Sequence, residues 1–155
     1  YTSLVECTRD LLDHVAGNGQ QLNLETGQES AEHLLEFIAD VERDNLFINF
    51  DPANLILYGT DHPIDALIKV GHLVRSVHCK DGTYAPVAGR GTDWGAEVPL
   101  GEGDVGMLTY LKVLDSIGYT GPLTIEREIA EDRERQKADI GAAVSLLESL
   151  RDQVG

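Results

Sequence analysis

The chain has 155 residues, 42% of them hydrophobic and 25% charged, with a formal net charge of -15. That composition supports one domain with a packed core and excludes a disordered chain. The acidity opposes binding to a nucleic-acid backbone, which calls for a basic face, so no nucleic-acid partner is expected.

Tyr1 opens directly into an amphipathic pattern, with no basic-then-apolar leader and no initiator Met, which reads as a fragment or a processed product. From Ser3 to Val15, Leu4, Val5, Leu11, Leu12 and Val15 recur at helical spacing with Thr8 in the same stripe, and Gly17-Asn18-Gly19 ends the run. Gln21 to Glu25 alternates as a strand. Thr26 and Glu29 have capping-box spacing ahead of a helix carrying Ala31, Leu34, Leu35, Ile38 and Val41. Leu46 to Asp51 alternates again, and Asp51-Pro52-Ala53-Asn54 reads as a turn. Asp61-His62-Pro63 predicts a helix start with Ile64, Leu67 and Ile68 inward.

Leu73 to Lys80 is a third strand. The stretch from Asp81 to Gly103 is irregular, glycine-rich and contains Trp94, and its length suggests a functional or lid-like loop. Asp104 is placed to cap a helix with Met107, Leu108, Leu111 and Leu114 inward, closed by Gly118. Leu123 to Glu128 is the fourth strand, and a last helix carries Ile140, Ala143, Val144, Leu147 and Val154 on its inner stripe. No apolar run nears the roughly 20 residues that span a bilayer, so no membrane partner is expected. Two cysteines, Cys7 and Cys79, fit a reducing cytoplasm.

Strand and helix thus alternate four times after an opening helix, the pattern of an α/β protein with a parallel sheet. One face of each strand is polar: Asn23 and Glu25, Asn49 and Asp51, Ser76, His78 and Lys80, Thr124, Glu126 and Glu128. Strands of an open doubly wound sheet are covered on both faces and read as continuous apolar runs. A barrel explains the one-sided pattern, because its outer strand face meets helices while its inner face forms the site at the carboxyl ends. A closed (β/α)8 barrel takes about 250 residues, so four units make the carboxyl-terminal half of one, strands five to eight, in a single partial domain. Such a half-barrel exposes strand edges at 21–25 and 122–128, and pairing through them would give a homo-oligomer.

Four strand ends carry Glu25, Asp51, His78 and Glu126, the first three at near-equal spacing. Carboxylates with one imidazole and no thiolate suit a divalent ion such as Mn, Mg or Co, with Zn also admissible. An ion held there can polarise a sugar carbonyl and hydroxyl while a glutamate moves the proton on the neighbouring carbon. Taken singly, each residue has a plainer reading: Glu25 a solvated residue before a turn, Asp51 a turn aspartate, His78 a core histidine and Lys80 an ion-pair partner of Asp81 or Glu128. Alternation sends Cys79 to the helical side, and His14, His33, His62 and His72 fall on helices or caps. Gly101-Glu102-Gly103 is too short for a nucleotide fingerprint and reads as a turn shaping the loop rim.

The strings Leu24-Glu25-Thr26-Gly27, Phe50-Asp51-Pro52-Ala53-Asn54-Leu55, Val77-His78-Cys79-Lys80-Asp81-Gly82, Pro99-Leu100-Gly101-Glu102-Gly103-Asp104 and Leu123-Thr124-Ile125-Glu126-Arg127-Glu128 resemble, in order, the sugar phosphate isomerase/epimerase superfamily with the xylose-isomerase-like TIM barrel. The resemblance implies that Glu25, Asp51, His78 and Glu126 are metal ligands, with Glu25 and Glu126 also the acid/base pair, and that Lys80 and Asn54 meet the substrate. The ketose 3-epimerases of this superfamily carry a histidine where Asn54 stands, a departure that leaves isomerases, inosose dehydratases and endonuclease IV as other branches. Acidity and few histidines disfavour the last of these. The activity this implies is isomerisation or epimerisation of a sugar or polyol by proton transfer next to a carbonyl, through an enediolate. A metal-dependent dehydratase and a non-catalytic metal-binding half-barrel are the alternatives.

Overall fold

The computed structural model describes residues 1–89, 92–129 and 131–154. In chain order its elements are α1 (Thr2–Ala16), β1 (Leu22–Glu25), α2 (Ala31–Val41), β2 (Leu46–Phe50), α3 (Pro52–Tyr58), α4 (Pro63–Val70), β3 (Val74–Cys79), β4 (Asp81–Thr83), β5 (Ala96–Val98), α5 (Met107–Ser116), β6 (Leu123–Ile125) and α6 (Arg133–Arg151). Strands β1, β2, β3 and β6 form one parallel sheet in that order, so each expected strand lies beside the next. Its apolar face carries Ile48, Phe50, Val77 and Cys79, all fully buried beneath Leu67, Val70, Tyr110 and Leu114 of α4 and α5. The opposite face holds the polar residues. This is the half-barrel α/β arrangement that the alternation predicts.

Several local expectations are corrected. Helix α2 is capped by Ser30, whose hydroxyl accepts from the His33 N–H, and not by a Thr26 to Glu29 box. Glu29 instead accepts from the Gly27 N–H, and Thr26 is buried, bonded through Oγ1 to both the N–H and the C=O of Asp51. The expected turn at 51–54 is the first turn of α3: Asp51 Oδ1 accepts from the Ala53 and Asn54 N–H groups, and Pro52 takes the position where an N–H is not needed. Asp104 does not cap α5, which starts from Gly106 at φ 72°; its carboxylate accepts from the Tyr84 N–H.

The stretch after β3 is not irregular throughout. Strands β4 and β5 pair as an antiparallel ribbon that packs along α3, where the Gly95 N–H donates to the Leu57 carbonyl. Trp94 lies edge-on to Tyr58 and is otherwise exposed. Strand β6 stops at Ile125, short of the expected Glu128, although the Glu126 N–H still reaches the Cys79 carbonyl. Ile68, Ile140 and Val144, expected inward, are exposed, as are Leu4 and Leu11 on α1. Ile140 and Val144 lie on α6, which follows the edge strand β6 and meets the core through Leu147, Leu150 and Val154.

Candidate metal centre

Pleating and caps bring the four strand-end residues to one point. Glu25, Asp51, His78 and Glu126 each offer a ligand atom within 4.8 Å of the others. The Nδ1 atom of His78 faces all three carboxylates, 3.0 Å from Glu126, 3.4 Å from Asp51 and 3.5 Å from Glu25. Each position has a local cause. Asp51 is fully buried, and because Oδ1 caps α3, Oδ2 is turned into the cluster. The double bond between Thr26 and the Asp51 backbone ties the end of β1 to the end of β2. Asn54 donates to Glu25 Oε1 and to the Thr26 carbonyl, so it buttresses Glu25 from one turn into α3.

Burial and charge tune these groups against each other. The Asp51 carboxylate beside Nδ1 raises the pKa of His78; burial works against this, and the charges of Glu126, Asp51 and Glu25 add to it. Burial raises the Glu126 carboxyl above the ordinary range, while Lys80 and His78 pull it back only in part. Burial also disfavours charge on Lys80, but a hydrogen bond to Glu128 and the charges of Asp51 and Glu126 outweigh it and hold the ammonium above the ordinary lysine value.

The residues present fit a divalent cation. Asp51 Oδ2 and His78 Nδ1 are buried and make no hydrogen bond among the described residues, although each faces charged neighbours, an arrangement that a cation meeting both would relieve. Their separations, and that of Glu126 from Nδ1, approach the edge of about 3 Å expected between neighbouring ligands of an octahedral ion with bonds of about 2.1 Å. Three oxygens and one imidazole are the donor set of Mn, Mg or Co rather than of a thiolate-bound metal.

Lys80 is 3% exposed and engaged: Nζ donates to Glu128 Oε2 at 2.7 Å and to Glu126 Oε2 at 3.2 Å, with Asp51 at 3.7 Å and Glu97 at 3.8 Å. The Glu128 pairing is the one the plainer reading named; the Asp81 pairing does not form. The Asp81 carboxylate instead accepts from the N–H groups of Gly82, Gly101, Gly103 and Val105, which gives the Gly101–Gly103 turn its shape. Glu97 of β5 accepts from Arg127 at 2.8 Å and from the Glu128 N–H, and Arg127 also binds Asp139 of α6, so the ribbon is pinned to β6. Sequence reasoning missed Glu97 and Arg127, whose meeting depends on the fold of the ribbon. It also missed Asn49, though its parity with Asp51 was a usable signal. Cys79 lies on the helical side as alternation predicts, and His14, His33, His62 and His72 are exposed.

Fold and site define a parallel α/β half-barrel with a carboxylate and imidazole cluster at the carboxyl ends of its strands. The chain belongs to the xylose isomerase-like TIM barrel family, whose model matches residues 1–150. It is similar to a xylose isomerase domain protein from Planctomyces limnophilus, with 62% identity and a TM-score of 0.97 over 99% of this chain and 55% of that one. A xylose isomerase-like TIM barrel protein from Mycobacterium smegmatis, solved in complex with magnesium, shares 26% identity and a TM-score of 0.74 over 97% of this chain and 50% of that one. A D-tagatose 3-epimerase-like protein, at 20% identity and a TM-score of 0.74 over 97% of this chain and 54% of that one, shares the fold. The chain therefore spans about half the length of these solved relatives.

Proposed function

We propose that the protein is a divalent-metal-dependent isomerase or epimerase of a sugar or polyol, acting in the cytoplasm by proton transfer next to a carbonyl. The observation that carries this reading is the pair of buried ligand atoms, Asp51 Oδ2 and His78 Nδ1, which make no hydrogen bond among the described residues and are set between two further strand-end glutamates. Mn, Mg or Co, with Zn also admissible, would be held by Glu25, Asp51, His78 and Glu126; the magnesium in the M. smegmatis relative supports this. When bound, the ion supplies Lewis-acid polarisation of a substrate carbonyl and hydroxyl.

The chain's own residues do the rest. Glu126, raised by burial, is suited to take the proton from the carbon beside the carbonyl, giving an enediolate, and Glu25 to return it from the other side. Lys80 holds Glu126 in place and offers the nearest ammonium to a substrate oxygen. Asn54 keeps Glu25 oriented and lies at the rim where a substrate hydroxyl would enter.

The test is turnover of a panel of ketoses and inososes in D2O with Mn(II). Deuterium in the carbon-bound position of a product with unchanged sugar formula is expected. Release of water instead identifies a dehydratase. Failure to exchange any substrate, with Mn(II) still bound, identifies a non-catalytic metal-binding half-barrel. Glu126→Gln is expected to lower exchange at least about 10²-fold with an unchanged circular dichroism spectrum; retained exchange means that the base is elsewhere.

A further inference from the structure

We propose that Asn49 is a positioning residue that orients His78 for ligation through Nδ1 by meeting its second ring nitrogen, Nε2. The inference rests on the metal reading above. Asn49 sits two residues before Asp51 on β2 and so shares its inward face, and its register partners are Glu25 on β1 and Ser76 on β3. Its Nδ2 lies 3.2 Å from His78 Nε2, whereas the carboxylates face Nδ1. Among the described residues it is the side chain that meets this nitrogen. The Ser76 hydroxyl accepts from the Asn23 amide.

A neutral imidazole carries one proton and ligates through the nitrogen that lacks it. With Nδ2 turned to the ring, Asn49 donates to Nε2, and the proton stands on Nδ1, facing Glu126 at 3.0 Å. Ligation through Nδ1 requires the other form: the proton on Nε2, donating to an acceptor. A half-turn about the last side-chain torsion of Asn49 replaces its NH₂ with Oδ1 at nearly the same place. The proton passes from Nδ1 to Nε2 by way of solvent, with no net change in protons and no redox step. An amide serves both forms without charge. A carboxylate would serve only the second and would add a fourth negative group beside Glu25, Asp51 and Glu126. A partner that orients a ligating histidine through its second nitrogen typically contributes 10- to 100-fold in metal affinity.

The experiment is Mn(II) titration, followed by the electron paramagnetic resonance signal of the free ion, on the full chain and on Asn49→Asp, Asn49→Ala and Asn49→Leu. Circular dichroism checks folding. Asn49→Ala and Asn49→Leu are expected to bind Mn(II) about 10- to 100-fold more weakly, and Asn49→Asp, acceptor only, to stay within about tenfold of wild type. Nitrogen-15 spectra of the Mg(II)-loaded wild type are expected to show His78 protonated at Nε2, a readout that packing alone would not move. Unchanged affinity in Asn49→Leu, equal losses in the Asp and Leu variants, or a proton at Nδ1 in the loaded protein overturns the role of Asn49. If the wild type itself binds no Mn(II), the metal reading falls and this inference falls with it, so the two failures are distinct.

Discussion

Cys79 stands between His78 and Lys80 in sequence, and the pleat of β3 sends it the other way, into the helical layer. Burial pushes its thiol up to about 12. A thiol raised in the folded state stabilises the protein below its unfolded value of about 8.5 and loses that contribution as pH climbs toward 12. The cost of Cys79→Ala in chemical denaturation is therefore expected to be largest near neutral pH and to shrink steadily above about pH 9. Thiol titration with a disulfide reagent at pH 8 should label Cys7, which is exposed, and leave Cys79 unmodified until denaturant is added. Rapid labelling of both in the native state would place Cys79 on the wrong face. The direction of each side chain on β3 was legible from alternation alone. The partners of Lys80 were legible only in part, since Glu97 arrives from a ribbon that no local pattern announces.

Elements were legible where period and punctuation agreed. The four parallel strands and most of the helices between them follow from alternation and helical stripes, whereas α3 reads locally as a turn and β6 stops short of its expected end. Starts of helices were less so: Thr26 has the chemistry of a cap but is drawn inward by Asp51, and Asp104 is drawn away by the Tyr84 N–H. The β4–β5 ribbon escaped because each strand has three residues, too few for a period. The turn that follows β5 is held by Asp81 of β4, buried, with four backbone N–H groups directed at its carboxylate. Asp81→Ala leaves these donors unsatisfied and is expected to destabilise the fold by about 3 kcal/mol in urea unfolding, whereas Asp81→Asn keeps part of the bonding and costs less. Gly103→Ala should be comparably damaging, because a Cβ there would stand 2.2 Å from Asp81 Oδ1 and 2.5 Å from the Gly82 carbonyl. Equal stability of Asp81→Ala and wild type would show that the ribbon is held some other way.

At the scale of the molecule, the parallel sheet has two open edges and the chain a charge of -15. On β1 the N–H groups of Leu22 and, just past the strand, Thr26 point to β2, so by alternation those of Asn23 and Glu25 point outward. On the other side the Glu126 N–H points to β3, which directs those of Leu123 and Ile125 to the open edge. Strands β2 and β3 are paired on both sides and carry the buried apolar face. Hydrogen exchange is therefore expected to separate the amides by direction: Asn23, Glu25, Leu123 and Ile125 exchange orders of magnitude faster than Ile48, Phe50 and Val77, which open only with the whole fold. At low ionic strength the net charge opposes the approach of a second copy, so the fast set should not slow as protein concentration rises. Protection of all four amides that vanishes on dilution would mean that two half-barrels close on each other through these edges, while protection that survives dilution would mean that further strands of the same protein cover them.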